Sequence, residues 1–339
     1  MTMSYSSDTS GRELRDTFGR VHRDLRVSLT DRCSLRCTYC MPATGMEWIA
    51  GPDQLTTDEL LRIVRISVEH GIGTVRLTGG EPLLRPDVVD VVAAITALPN
   101  PPEVSLTTNG LRLPGLAAPL ADAGLRRVNI SLDTMDRERF RTLTLRDRLV
   151  DTLAGIAAAK AAGLDPVKIN TVLMRGVNDD EAPTMLQWAL AEGLQLRFIE
   201  QMPLDPQHSW DRSRMVTAAE ILDLLTAGGF DLTPEEDRGS APAERWLVNG
   251  GPQAVGIIGS VTRPFCGDCD RVRITSDGQW RSCLFARHET DLRGPLRAGA
   301  SDATLAELMR LDVAGKAAGH GIDDPGFMQP RRPMSAIGG

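Results

Sequence analysis

The sequence predicts an α/β protein built on parallel strands, and two observations carry that expectation. From residue 24 to about residue 203, short β-rich runs alternate with amphipathic stretches, and chemistry-bearing residues recur at the C-terminal ends of the strand candidates. Alternating β and α implies parallel strands joined by right-handed crossovers. Six βα units fit before the pattern changes. A closed eight-unit barrel takes about 250 residues. Six units therefore make an open or partial barrel or a doubly wound sheet, and periodicity does not choose between them.

The strand candidates are Leu25–Thr30, Thr74–Thr78, Val104–Thr107, Val128–Ser131, Val167–Leu173 and Leu196–Ile199. Between them, Thr57–His70 is opened by Thr56 with Glu59 three residues on, a capping box. Pro86 precedes a helix over Asp87–Leu98, Gly163 ends one over Leu149–Ala162, and Asp179–Glu192 supplies another. After residue 210 come a helix at Ala218–Ala227, a Pro-rich acidic loop at Pro234–Ala243 and short strands around Trp246–Val248 and Ala254–Ile258. A helix near Ala303–Ala318 and a Gly/Pro-rich tail complete the chain. The expected division is a flexible segment at 1–19, the βα region at 20–232 and a C-terminal region at 233–339.

A chain of 339 residues accommodates one barrel and an extension. Its 42% hydrophobic and 24% charged residues are those of a soluble globular enzyme. A net charge of −7 argues against non-specific nucleic-acid binding. No run reaches the apolar length of a membrane span, and residues 1–20 are polar and Ser-rich without an apolar signal core. The expectation is a cytoplasmic protein, acting on neither nucleic acid nor membrane, whose cysteines are metal ligands rather than disulfides.

All six cysteines fall in two triples, Cys33/Cys37/Cys40 and Cys266/Cys269/Cys283. The first has C-x3-C-x2-C spacing. Three thiolates can hold a four-iron cluster while leaving one iron without a protein ligand, and an open iron is where chemistry can happen. Cytosolic zinc sites complete four ligands from Cys or His, and neither triple has an evident fourth. The second triple is the looser signal, because thirteen residues separate Cys269 from Cys283.

Motifs follow the strand candidates: Arg76-Leu-Thr-Gly-Gly80-Glu-Pro82, Thr107-Thr-Asn-Gly110, Ser131-Leu-Asp133, Lys168-Ile-Asn170 and Glu200-Gln-Met202-Pro203. In a parallel sheet that rim binds ligands. Singly, each reads as a tight turn; five in succession facing a cysteine loop do not. Arg26, Arg76 and Lys168 lie inside strand segments, and Arg271 and Arg273 alternate just after Cys269. Internal salt bridges would explain any one of them. Together they match a polyphosphate, whose oxygens suit guanidinium forks.

The cysteine loop with Tyr39, together with Thr78-Gly-Gly-Glu-Pro82, resembles radical S-adenosylmethionine (SAM) enzymes. Leu25-Arg-Val-Ser-Leu-Thr-Asp-Arg-Cys33, Arg76–Arg85, Lys168–Val172 and Cys266-Gly-Asp-Cys-Asp-Arg-Val-Arg273 with Cys283 resemble the GTP 3′,8-cyclase family, which opens molybdenum cofactor biosynthesis. The resemblance runs from about Phe18 to Gly339. It implies a six-unit partial (βα)6 TIM-like barrel whose open side is closed by a C-terminal region carrying a second Fe–S cluster.

The resemblance also implies site roles. Cys33, Cys37 and Cys40 would ligate a [4Fe-4S] cluster whose open iron holds SAM, with Tyr39, Gly80, Ser131 and Met202 contacting SAM. Cys266, Cys269 and Cys283 would ligate a second [4Fe-4S] cluster that meets the guanine of GTP. Arg26, Arg76, Thr107, Lys168, Arg271 and Arg273 match GTP-contacting positions, and the terminal Gly338-Gly339 would reach into the active site. The implied partners are GTP, an external electron donor and cyclic pyranopterin monophosphate synthase, which receives the product; the chain would be a monomer or homodimer. Ser34 and Asp270 stand where the family commonly has Asn, and Gln201 where it has an apolar residue. The alternative is another radical SAM enzyme with an auxiliary cluster, acting on a peptide or other anionic substrate.

Overall fold

Six parallel strands lie side by side in chain order: β1 (Asp24–Ser28), β2 (Thr74–Thr78), β3 (Glu103–Thr108), β4 (Arg127–Ser131), β5 (Val167–Leu173) and β6 (Gln195–Glu200). The structure is a computed structural model and describes residues 13–338. Helices α1 (Thr57–Glu69), α2 (Val88–Thr96), α3 (Leu113–Asp122), α4 (Arg137–Thr144), α5 (Leu149–Ala161) and α6 (Ala182–Ala191) cover the outer face. The Thr56–Glu59 capping box of α1 is complete in both directions. Two of these helices escaped the sequence reading. In α3, Pro114 and Pro119 sit within a run of Ala, Leu and Gly that lacks a polar face; in α4, charged residues mask the buried Phe140 and Leu143.

Strand side chains alternate faces, and here the alternation sorts core from cavity. Leu25, Val27, Val75, Leu77, Val104, Leu106, Val128, Ile130 and Ile169 are buried in one hydrophobic cluster beneath the helices. The intervening positions, among them Arg26, Arg76, Thr107, Ser131 and Asn170, line cavities instead. Closed barrels of this kind fill that interior with branched aliphatic side chains. Here arginine, threonine, serine and asparagine side chains share that lining with Val172, Ile199 and Ile258.

The C-terminal region grips both free edges of the six-stranded unit. β9 (Ala254–Ile258) pairs parallel with β6 and leads through β8 (Glu244–Val248) to β7 (Leu232–Pro234). On the other edge β10 (Arg271–Ile274) pairs parallel with β1, followed by β11 (Gln279–Arg281) and β12 (Thr290–Asp291). One twelve-stranded sheet results, open between β12 and β7. A partial barrel is thus extended on both sides rather than continued to eight βα units. Helix α7 (Ala218–Ala227), with its own capping box at Thr217 and Glu220, precedes β7. Helices α8 (Arg293–Arg297), α9 (Asp302–Ala314) and α10 (Met334–Ile337) follow β12. Among the described residues no helix is long and apolar enough to cross a membrane.

The expected flexible segment 1–19 lies outside the described residues up to residue 12. Within 13–19, Leu14 and Asp16 are buried while Arg15, Thr17, Phe18 and Gly19 are exposed. Leu14 is fully buried and its N–H donates to His70 O at 3.2 Å. Asp16 takes the Phe18 and Arg20 backbone N–H groups at 2.9 and 3.0 Å and the Arg20 guanidinium at 2.5 Å. A polar, Ser-rich lead obscured one apolar anchor and one carboxylate that wraps a turn.

Candidate active site

Both cysteine triples open into one cavity of about 310 Å³ at the C-terminal end of the strands. All six thiols are free. Among the described residues no three His, Cys, Asp or Glu side chains close round a single metal-ion position; the thiols line a wider space. The cavity also takes Tyr39, Gly80, Ser131, Met202, Arg26, Arg76, Thr107, Arg271 and Arg273 into its wall. Two expected site residues lie elsewhere. Lys168 lines the opposite, N-terminal mouth of the barrel, about 430 Å³, with Arg76, Arg127, Arg197 and Arg245; Arg76 and Arg197 reach both cavities. Gly338 packs behind Arg273, whose Nη1 donates to the Gly338 carbonyl at 2.5 Å. Gly339 falls outside the described residues.

The first triple is held by backbone fit. The loop after β1 lies against the end of β2, where Gly80 N–H donates to Thr30 O and Glu81 N–H to Arg32 O, both at 2.7 Å. A Cβ on Gly79 would stand 2.3 Å from Thr30 O, and one on Gly80 2.3 Å from Arg32 O. The two glycines are therefore demanded by the close approach, beyond any turn requirement. Buried Glu81 ties the rim together: it accepts from Leu83 N–H (2.9 Å), Thr108 Oγ1 (2.7 Å) and Asn109 N–H (2.7 Å). Asn109 Nδ2 in turn donates to Ser34 Oγ at 3.0 Å and stands 3.9 Å from Cys33 Sγ. Tyr39 donates its hydroxyl to Asp133 at 2.7 Å, and Asp133 also takes Val172 N–H at 2.9 Å. Burial raises the Asp133 carboxyl to about 6 despite these bonds.

Burial raises the thiols of this loop as well, Cys33 to about 11, with Glu81 adding to the effect, and Cys40 to about 12. A buried thiolate is stable only beside a strongly bound cation. Three such thiols on one cavity wall fit an iron–sulfur cluster, whose ligands are thiolates.

The second triple is assembled by a hairpin. Cys266 and Cys269 precede β10 and Cys283 follows β11; the antiparallel β10–β11 pair brings the ends together. That accounts for the thirteen-residue spacing. Burial would raise Cys269, yet Arg271 and Lys316 bring it below its ordinary value. The segment Leu14–His22 backs this triple: Arg20 Nη1 donates to Cys266 O at 2.5 Å and to Ala318 O at 2.9 Å. Phe265 stacks beneath the Arg271 guanidinium, 4.5 Å from its ring centre. The donor set fits a second cluster of the same kind.

Between the triples runs a row of arginines. Arg26 on β1 is in register with Arg273 on β10 and with Arg76 on β2. Burial first, then Arg273 and Arg76, drives the Arg26 guanidinium well below its ordinary range. Among the described residues Arg26 Nε and Arg271 Nε are buried without hydrogen-bond partners. Asp24 is the counter-charge: its carboxyl is lowered by Arg26, Arg76, Arg271 and Arg273 against the pull of burial. Asp270, the departure beside the second triple, points to the other mouth, where it accepts from Ser240 Oγ at 3.0 Å. Asp133 and Asn109 stood in the rim motifs without a role of their own; Arg197, Arg20 and Lys316 were missing from the sequence reading, and the last two carried no motif signal.

Fold and site define a radical SAM protein. The Radical SAM superfamily profile matches residues 27–189 and that of Molybdenum Cofactor Synthesis C residues 194–322. Among solved structures, Streptococcus suis SuiB bound to S-adenosylmethionine superposes with a TM-score of 0.59 at 14% identity, over 86% of this chain and 68% of that one. The GTP 3′,8-cyclase of Streptomyces coelicolor is 61% identical over 96% of both chains. That of Mycolicibacterium smegmatis is 55% identical over 96% of this chain and 92% of its own. The chain belongs to the GTP 3′,8-cyclase family.

Proposed function

We propose that this chain cyclises GTP by radical SAM chemistry to (8S)-3′,8-cyclo-7,8-dihydroguanosine 5′-triphosphate, the first step of molybdenum cofactor biosynthesis. Family membership supplies the reaction. The observation that carries it to these residues is one cavity lined by two cysteine triples and the Arg273–Arg26–Arg76 row. On this reading 20–232 is the barrel and 233–339 the region that brings the second triple.

Cys33, Cys37 and Cys40 would hold a [4Fe-4S] cluster and Cys266, Cys269 and Cys283 a second one. With SAM bound, the first cluster would supply hydrogen-abstracting radical chemistry, and the second would supply a binding point for the guanine base. The protein's own work is placement and exclusion of water. Tyr39, Gly80, Ser131 and Met202 would bound the SAM side. The arginine row, with Thr107 and Lys168, would clamp the polyphosphate while the second triple fixes the base, so that C3′ and C8 are held together; such orientation replaces translational entropy that ring closure otherwise loses. The buried Nε groups of Arg26 and Arg271, which lack hydrogen-bond partners among the described residues, would gain them from an anionic ligand. Gly338 would brace Arg273 from behind: its φ is +92°, and a Cβ there would lie 2.9 Å from Thr78 Cγ2. Gly338 and Gly339 together would form the catalytic tail. By the same resemblance an external donor provides the electron, in the cytoplasm, and cyclic pyranopterin monophosphate synthase receives the product.

Anaerobic turnover of the iron- and sulfide-loaded protein with SAM, dithionite and GTP deuterated at C3′ tests this. Deuterium in the 5′-deoxyadenosine is expected. Undeuterated 5′-deoxyadenosine would sink GTP as the substrate and leave a radical SAM enzyme of another specificity.

A further inference from the structure

Lys316 is buried to 5% exposure just past the end of α9, and a buried lysine is rare unless something holds it. Its ammonium meets four acceptors. Nζ lies 2.8 Å from His22 Nε2, 2.9 Å from Arg271 O, 3.4 Å from Cys269 O and 3.4 Å from Cys269 Sγ. His22 is fully buried, and its Nδ1 faces Leu14 O at 3.2 Å. An ammonium has no lone pair to give, so His22 accepts through Nε2 and carries its proton on Nδ1. The imidazole is thereby a fixed mooring for the lysine. At the first triple, the donor beside Cys33 Sγ is the neutral amide of Asn109 at 3.9 Å, and the nearby cation Arg36 donates to the Cys33 carbonyl at 2.6 Å rather than to a sulfur.

Cluster potentials respond to net charge and to hydrogen bonds on the sulfurs. A cation donating to a ligand thiolate stabilises the more negative, reduced state. We propose that Lys316 is a positioning residue for the second cluster: moored by His22 and the Arg271 carbonyl, it donates to the Cys269 sulfur and raises that cluster's potential. The inference rests on the reading of the second triple as a cluster site. It would keep the substrate-side iron reducible under conditions in which a site without a cation is still oxidised.

The test uses full-length protein with Cys33, Cys37 and Cys40 changed to Ser, so that only the second cluster loads. Iron and sulfide are measured first; a protein that binds neither overturns the cluster reading and this inference together. With the cluster loaded, the reduced signal is followed by electron paramagnetic resonance at fixed ambient potentials. Lys316→Met is expected to lower the reduced-to-oxidised ratio about tenfold, equivalent to about 59 mV for a one-electron couple. Lys316→Arg, which keeps the charge, is expected to recover most of that ratio. An unchanged ratio in the loaded Met variant overturns the inference, and so does an Arg variant as shifted as Met. Should Lys316→Met fail to load, His22→Phe decides: it leaves the lysine present but unmoored, so a lowered ratio supports the role and a wild-type ratio overturns it.

Discussion

Burial raises all three thiols of the first triple, and the carboxylates of Glu81 and Asp133 push the same way. In the second triple Arg271 and Lys316 reverse the effect of burial at Cys269, while Cys266 and Cys283 stay raised. The supports differ too. Gly79 and Gly80 let the first loop press backbone to backbone against β2, whereas the second triple is closed by a hairpin and clasped by Arg20 and Lys316 from distant segments. One cavity therefore has an acidic end held by shape and a basic end held by charge. On the proposed function, these surroundings would divide the tasks: the acidic end would take a cationic sulfonium cofactor and the basic end an anionic nucleotide.

The sharpest way to break this comparison is to remove one thiol from each end. Cys37→Ala is expected to abolish SAM cleavage while keeping the second cluster. Cys269→Ala is expected to retain SAM cleavage and lose GTP cyclisation. Each variant should lose about four of the eight irons implied by two clusters. Equal loss of SAM cleavage in both would end the division of labour.

A smaller effect sharpens the charge argument. Arg26→Met removes a buried guanidinium that repels Arg76 and Arg273. GTP affinity is expected to fall about ten- to a hundredfold, the worth of one or two charge-assisted hydrogen bonds. The ligand-free protein, relieved of a buried guanidinium that Asp24 only partly balances, is expected to melt no lower, and up to several degrees higher. Calorimetry and equilibrium binding on the same preparation check both. A lower Tm would show that Arg26 is a structural group.

The smallest effect lies at the far mouth. Burial first, then Arg197, Arg127, Arg76 and Arg245, lowers Lys168 from 10.5 to about 8. Protonated Lys168 attracts phosphate, so GTP binding is expected to weaken as pH rises through about 8, by no more than about tenfold. Stability has the opposite sign. Between about 8 and 10.5 the unfolded chain binds the proton that the folded chain has released, so the contribution of this group to folding rises with pH there. Lys168→Met should flatten both trends; a pH profile identical to wild type would remove Lys168 from the clamp.

Much of this was legible in the sequence because the signals are local. The six βα units, the C-x3-C-x2-C loop and the rim motifs each depend on spacing within a few residues, and period-2 alternation carries Arg26 and Arg76 to the cavity face of their strands. Thr56 with Glu59 announced α1 for the same reason. The sequence alone, with its family resemblance, therefore determined the architecture and the family, and singled out the two cysteine triples and the strand arginines Arg26 and Arg76 that meet on one cavity. Tertiary structure decided what depends on chain segments meeting. It set β9 and β10 on the two free edges of the sheet, turned Asp270 toward the far mouth and Lys168 with it, and packed Leu14 and Asp16 where a loose terminus was expected. It also put Arg20 on the Cys266 carbonyl, 246 residues away, and Lys316 on His22, 294 residues away. No local pattern encodes such pairs. A buried cation becomes informative only when its acceptors are known, and those are chosen by the fold.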